Sequence, residues 1–441
     1  MKRQGKGKRR RARGYRKQLL HAMSRYLPHC GMPLVSDDDR IRWTDRLLAL
    51  CAILVSWSSE STLRDAFDGA REAVVAMYDS RKRPGKTARG FFDALRERSP
   101  QLVARLKAHC QKTALRVAAG RWRYKRWVVM AADGSRVNVP RTAANEQAFG
   151  CAGVDKTTPQ QWVTSVFHVQ SGLLWDYRTG SATASEQEDL RDMLTGLPAR
   201  TLLLIDAGYR GFSLLGSILD SGRDFIVRVG TNTTLLKDLD YDVRERGSTV
   251  WLWPKTEQGQ RPPLKLRKVE FKSKGHRVCL LSSVLSADEL SDAQIKRLYR
   301  QRWVIEVQYR NLKQTMEHRT LLSDSPQAAR AELDWCLMGL RLLELMQVGS
   351  RRGKPSRPYS LATSLRVVRK AMRSRGRVPA GGLQRQLRQA LLDGYERRKP
   401  KQARDYPCKK RLKPCGHPRI RMATGRETLK ARAFFAKKVP A

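Results

Sequence analysis

Acidic residues are scarce in this chain of 441: 41 Asp and Glu stand against 88 Lys and Arg, for a formal net charge of +47. So one-sided a balance repels itself unless a polyanion is the usual partner, and nucleic acid is the leading one. Long apolar runs are missing too. The longest, "LLALCAILVSW" at Leu47 to Trp57, is too short to cross a bilayer and reads as a core helix. No long amphipathic basic helix with an aromatic face favours a membrane surface either, so no membrane partner is expected. The positive start "MKRQGKGKRRRARGYRK" is followed by no hydrophobic signal core, which argues against secretion and for a cytoplasmic protein. The eight cysteines include no CxxC pair, as fits reduced structural thiols. Cys408, Cys415 and His417 in "CKKRLKPCGH" could hold zinc, but their spacing is irregular and a fourth ligand is not evident.

What is present, 41% hydrophobic residues over 441, is enough for two or three domains with a sizeable core. Residues 1–40 read as a basic arm, most charged over the first seventeen and expected to order only on phosphate. Residues 41–120 read as a helical DNA-binding domain, with "TDRLLALCAILVSW", "LRDAFDGAREAVVAMY" and "GFFDALRERS" as helices, though the pattern suits any helical bundle equally. At Trp127 the period turns to that of strands: "WVVMAAD", "SRVNVP", then "WVTSVFHV" and "GLLWDYRTG" as a hairpin around "QSG". A helix "SEQEDLRDMLTGL", the apolar run "TLLLIDAGY", a helix "GFSLLGSILDSG" and a strand "DFIVRVG" follow. Three strands, helix, strand, helix, strand is the order of a ribonuclease-H-like mixed sheet. The expected fold is therefore α/β: such a core over residues 121–230 and 286–350, with a β-rich insertion at 231–285. Helical basic regions flank it, the last being a C-terminal extension and flexible tail at 351–441.

On an α-helix, Tyr299, Arg302, Glu306 and Lys313 of "YRQRWVIEVQYRNLK" fall on one stripe. Leu298, Trp303, Val304, Ile305, Val307, Tyr309 and Leu312 surround it and predict a helix packed inside a domain. Charges at this spacing are commonly a solvated or ion-paired face. A buried carboxylate instead needs a base such as Arg302, a proton, or a metal shared with other carboxylates. Asp133 ends a buried strand before Gly134 and Ser135, and Asp206 ends another before Ala207 and Gly208. Singly each is an ordinary turn residue. Jointly with Glu306 they offer hard oxygen ligands for two Mg²⁺ or Mn²⁺ ions about 4 Å apart, an arrangement that stabilises attacking and leaving oxygens in phosphoryl transfer.

Tyr, two residues, Arg, three residues, Glu, six residues, Lys resembles the signature of bacterial DDE transposases of the insertion-sequence-four type. "AADGSRV" and "LLLIDAGYRG" are similar to that family's two aspartate motifs, and the resemblance runs from about Trp127 to Ser350. It implies a DNA transposase acting near the nucleoid that binds the terminal inverted repeats of an insertion sequence, cleaves the phosphodiester at the element ends and joins the 3′-hydroxyl to target DNA. It also implies a metal-binding triad of Asp133, Asp206 and Glu306, contacts of Tyr299, Arg302 and Lys313 with the DNA backbone, and a homodimer in a synaptic complex. Ser135, Arg136 and Arg210 lie beside the aspartates as DNA neighbours or fold-maintaining residues. Trp251 and Trp253, at alternating positions among Lys255, Lys265 and Lys268, read first as core. The resemblance adds a second reading, in which one of them binds DNA by stacking on a base extruded at the element end. Two alternatives remain open: a metal-dependent site-specific nuclease without strand transfer, and a catalytically silent basic DNA-binding protein on the same scaffold.

Overall fold

The structure, a computed structural model, describes residues 13–28, 32, 41–77, 84–152, 157–239, 248–273, 275–351, 358–379, 381–393 and 415–436. Its first part is helical: α1 (Tyr15–Ser24), α2 (Asp45–Trp57), α3 (Leu63–Met77) and α4 (Ala88–Val117). The Thr44 hydroxyl opens α2 by accepting from Leu47 N at 3.3 Å. The apolar run that follows is buried on nearly every face because α3, α4 and the later α10 (Pro326–Gly349) surround it. The helical region thus packs on a core helix. The described end of the expected basic arm is also packed: β1 (Arg13–Gly14) pairs with β11 (Arg377–Val378), and Arg16 donates to Met372 O at 2.7 Å beside its ion pair with Glu72 at 3.3 Å. Residues 1–12 lie outside the described residues.

The sheet begins where the apolar period changes. β2 (Val128–Asn138), β3 (Gln160–His168) and β4 (Leu173–Ser181) are antiparallel neighbours, α5 (Ala143–Phe149) lying between the first two in sequence. β5 (Thr201–Ile205) then runs parallel to β2, and β6 (Asp224–Val229) parallel to β5, through the crossover helices α6 (Glu186–Met193) and α7 (Phe212–Asp220). The core order β6-β5-β2-β3-β4, three antiparallel strands continued by two parallel ones, is the ribonuclease-H-like mixed sheet. Val128 to Ala132 are buried without alternation, as suits a strand covered on both faces.

Two expectations change. "AADGSRVN" is one strand: β2 runs through Asp133 and Gly134 to Asn138, paired with β3 along its whole length, so the Asp-Gly pair forms no turn. The insertion is an extension of the same sheet. β7 (Thr234–Lys237), β8 (Thr249–Leu252), β9 (Leu264–Ser273) and β10 (His276–Ser282) join the core through β10 against β6, and β12 (Arg419–Met422) adds the outer edge parallel to β7. On this extension Trp251 and Trp253 are each 3% exposed. They pack against Phe435 and Phe434 of α13 (Gly425–Ala436), with ring centroids 5.4 and 6.2 Å apart. Neither ring is free to receive a base, so core packing, and not base stacking, is the role the structure gives them. The part of the tail over 415–436 is likewise docked, while 394–414 and 437–441 lie outside the described residues.

The chain returns to the core through α8 (Asp292–Gln301) and α9 (Val304–Arg310), and α11 (Leu361–Arg373) and α12 (Gly382–Gln389) complete the helical layer around α1 and α10. Among the described residues no helix is long and apolar enough to cross a membrane.

Candidate active site

Strand register brings the two aspartates together. β2 and β5 are parallel with Ala131 opposite Leu204, and the same offset two residues on sets Asp133 beside Asp206, on one face because side chains alternate. Gly134 N donates to Asp133 Oδ1 at 2.8 Å and Gly208 N to Asp206 Oδ1 at 2.7 Å, fixing both carboxylates.

A third acid, Glu186, enters the same space. A Cβ on Gly208 would stand 2.3 Å from Glu186 Oε1 and 3.0 Å from Asp206 Oδ1; one on Gly134 would stand 3.0 Å from Glu186 Oε2 and 2.1 Å from the Trp162 ring. Glycine at both positions leaves room for the carboxylate. Sequence reasoning missed Glu186 because it is the first residue of α6, after the capping Ser185, where the helix dipole favours an acid in any protein. Its place directly after the third core strand was the available signal.

Glu306 comes from the side. The expected single helix is broken: α8 ends at Gln301, α9 starts at Val304, and Asn311–Thr315 is a π turn. Ile305, Gln308, Tyr309 and Leu312 form the buried stripe, and the Tyr309 hydroxyl reaches the carbonyls of Asp133 and Val163 at 2.8 and 3.0 Å, pinning α9 to β2 and β3. Trp303, expected inside, is 61% exposed because it sits at the break. Glu306 lies beside the buried stripe with a side chain 36% exposed. Lys313 lies in the π turn, a register shift common at functional sites, and donates to Ser135 Oγ at 2.7 Å.

The electrostatics are unbalanced. Arg302 Nη2 stands 3.2 Å from Glu306 Oε1 and Nη1 stands 3.7 Å from Asp133 Oδ2. Burial, and then repulsion from Asp206, pushes Asp133 up to about 6. Burial, then Asp206 and Asp133, pushes Glu186 up to about 7. Arg302, with Arg136 acting on Glu186, is set against four acids, which leaves the cluster short of positive charge, and an all-oxygen donor set suits a hard divalent cation. The acids stand open around Arg302: among the described residues, the one group of three donor atoms all within 4.8 Å of one another lies elsewhere, at Glu270, Cys279 and His417.

Donors face the same space. The Tyr299 hydroxyl and the Arg302 guanidinium are buried against each other, and among the described residues neither the hydroxyl proton nor Nη1 meets an acceptor within hydrogen-bond distance; the guanidinium lies 5.9 Å from the Tyr299 ring centroid. Such groups cost stability until an acceptor such as a phosphate oxygen meets them. Burial, then Arg319 and Arg136, lowers the pKa of Lys313. Arg136 bonds Ala182 O at 3.1 Å and covers the Trp162 ring, and Arg210 bonds Ala207 O at 2.7 Å, so both brace the local fold. From Gly208 and Arg210 a cleft extends along the sheet to Lys255, Arg419, Arg421 and Arg426, its wall built partly by the C-terminal segment.

Residues 124–342 match the transposase DDE domain model. The transposase InsG for insertion sequence element IS4 of Escherichia coli (strain K12) is 29% identical over 235 residues, 50% of this chain and 52% of that protein, so the chain spans about half the length of this curated relative. The cryo-EM structure of a piggyBac transposase synaptic complex with hairpin DNA superposes with a TM-score of 0.43 at 11% identity, covering 89% of this chain and 85% of that one, a slight likeness. The matched span encloses Asp133, Glu186, Asp206, Tyr299, Arg302, Glu306 and Lys313, and over it the chain is similar to the transposase DDE domain family.

Proposed function

We propose that this chain is a DNA transposase: it binds the terminal inverted repeats of an insertion sequence, cleaves the phosphodiester at the element ends and joins the freed 3′-hydroxyl to target DNA. The observation that carries the reading is the meeting of Asp133 and Glu306 at Arg302, with Asp206 close enough to repel Asp133, inside the span matched by the family. Asp133, Asp206 and Glu306 are the residues to hold two Mg²⁺ or Mn²⁺ ions, with Glu186 beside them. Such ions, when bound, supply Lewis-acid polarisation of the phosphoryl oxygens.

The chain's own groups orient the DNA. Tyr299 and Arg302 offer buried donors to the oxygens of the phosphate to be cut. Lys313, held by Ser135, sits where the strand would pass. The cleft lined by Arg210, Lys255, Arg419, Arg421 and Arg426 continues the path, and the +47 net charge supplies attraction that weakens with salt. The double-stranded DNA substrate, the homodimer in a synaptic complex and the setting near the bacterial nucleoid belong to the same proposal.

The test uses DNA flanking the reading frame, which provides the terminal repeats. A duplex with a pre-cleaved 3′-hydroxyl end is incubated with the protein, Mg²⁺ and a supercoiled plasmid. Covalent joining of the labelled end to plasmid supports transposition. Cleavage of intact ends with no joining would leave a nuclease, and no metal-dependent chemistry on either substrate would leave a binding protein.

A further inference from the structure

Away from the carboxylate cluster, three side chains of different chemistry meet on the sheet extension. Glu270 of β9 and Cys279 of β10 are direct cross-strand partners, so their side chains share a face. His417 arrives from the segment before β12, its Nε2 2.5 Å from Glu270 Oε1. Glu270, Cys279 and His417 each present a donor atom within 4.8 Å of the other two. The pairing differs from the one the sequence suggested: Cys408 lies outside the described residues, and the Cys415 sulfur packs over Gly230.

Thiolate, imidazole and carboxylate together are a zinc donor set, whereas Mg²⁺ and Ca²⁺ take oxygen. Tetrahedral zinc sites place such donors about 3.5 Å apart, so the three need shifts on the order of 1 Å to enclose an ion. Cys279 is buried, which shields a metal–sulfur bond, while Glu270 and His417 keep about 30% of their side chains in solvent, which lets water reach a fourth position. Lys268 now pairs with Glu270 at 3.2 Å, partly neutralising the carboxylate as a bound cation would.

We propose that Glu270, Cys279 and His417 bind one Zn²⁺ ion that clamps the C-terminal segment onto the sheet. Binding releases to solvent the Cys279 thiol proton and the proton shared between His417 Nε2 and Glu270 Oε1, so that this hydrogen bond gives way to two metal bonds while Nδ1 keeps its proton toward the Pro418 carbonyl, 3.1 Å away. The clamp explains how β12, which pairs with the four-residue β7, is held where Arg419 and Arg421 line the cleft.

The test uses the full-length, tag-free protein. It is equilibrated with buffered zinc and assayed for bound metal by mass spectrometry, then reloaded with Co²⁺ for absorption spectroscopy. The expected result is about one zinc per chain and, with cobalt, a thiolate-to-metal charge-transfer band that Cys279→Ser abolishes. His417→Ala and Glu270→Gln, both at partly exposed positions, should each weaken zinc binding at least tenfold with the far-ultraviolet circular dichroism unchanged. Wild-type protein that holds no zinc would overturn the proposal. So would His417→Ala and Glu270→Gln variants that bind zinc as wild type does, or a cobalt spectrum without the thiolate band.

Discussion

Arg302 stands 3.2 Å from Glu306, one helical turn along the chain, and its other terminal nitrogen faces Asp133 at 3.7 Å. A single guanidinium therefore bridges two of the carboxylates proposed to hold the divalent ions. Among the described residues it is the one cation paired with these two acids. Replacing it removes both that charge and a donor to the phosphate.

Arg302→Ala is accordingly expected to lower thermal stability in metal-free buffer by several degrees, and to regain most of that in Mg²⁺, giving a larger Mg²⁺-induced rise in Tm than wild type shows. Cleavage of terminal DNA should fall about 100-fold even at saturating Mg²⁺, because a charge-assisted contact to phosphate is lost. Equal Mg²⁺ effects on Tm in the two proteins would separate Arg302 from the metal ligands.

Asp133 carries a pH signature. Its folded-state value, pushed up to about 6 by burial and then by Asp206, exceeds the unfolded one, so the folded chain holds that proton more tightly. The stabilisation is fully present below about pH 4 and is lost as pH rises through 6; Glu186, at about 7, extends the loss upward. Without metal, Asp133→Asn should be more stable than wild type at pH 8, by on the order of 2 kcal/mol, and the advantage should be roughly halved at pH 5. Denaturant unfolding at the two pH values measures this. An advantage independent of pH would show that ionised Asp133 is not held at a cost.

Gly208→Ala tests the room left for Glu186. The added carbon would meet the free end of a flexible side chain, 2.3 Å from Oε1, so the fold should survive with the carboxylate displaced. The Mg²⁺ concentration for half-maximal cleavage should rise about tenfold, as in Glu186→Gln, with Tm within a few degrees of wild type. An unchanged Mg²⁺ requirement in both variants would leave Glu186 a bystander.

The tryptophans separate by burial. Trp251→Ala and Trp253→Ala should each cost about 3–5 kcal/mol of stability, since each opens a cavity against α13. Trp303→Ala, at an exposed position, should change stability by less than about 1 kcal/mol. Chemical denaturation of the three variants decides it, and a selective second-strand cleavage defect in a fully stable Trp251 or Trp253 variant would restore the base-stacking reading.

Much of the core was legible because its strands are buried on both faces. "WVVMAAD" and "TLLLID" are unbroken apolar runs that end or nearly end in an acid, and the alternation of strands and helices between them left few topologies. The limits of Asp133's strand were not legible, since Asp-Gly is a turn signal locally and only pairing with β3 overrides it. Nor was the break at Arg302 and Trp303: residue spacing reports an ideal helix, whereas Tyr309 pins α9 to the strands of the site. Glu186 looked like any first-turn acid. The meeting of Glu270, Cys279 and His417 depends on strand pairing and on residues 147 positions apart, which no local pattern encodes.

The central claim is that Asp133, Asp206 and Glu306 act as one metal-dependent site on DNA. Its most direct test is cleavage of an end-labelled terminal-repeat duplex in Mg²⁺ by wild type, Asp133→Asn, Asp206→Asn and Glu306→Gln, with binding of the same duplex measured in parallel. The account predicts binding within about threefold of wild type and no detectable cleavage in any of the three variants. Mg²⁺-dependent cleavage at wild-type rate by any one of them would contradict it.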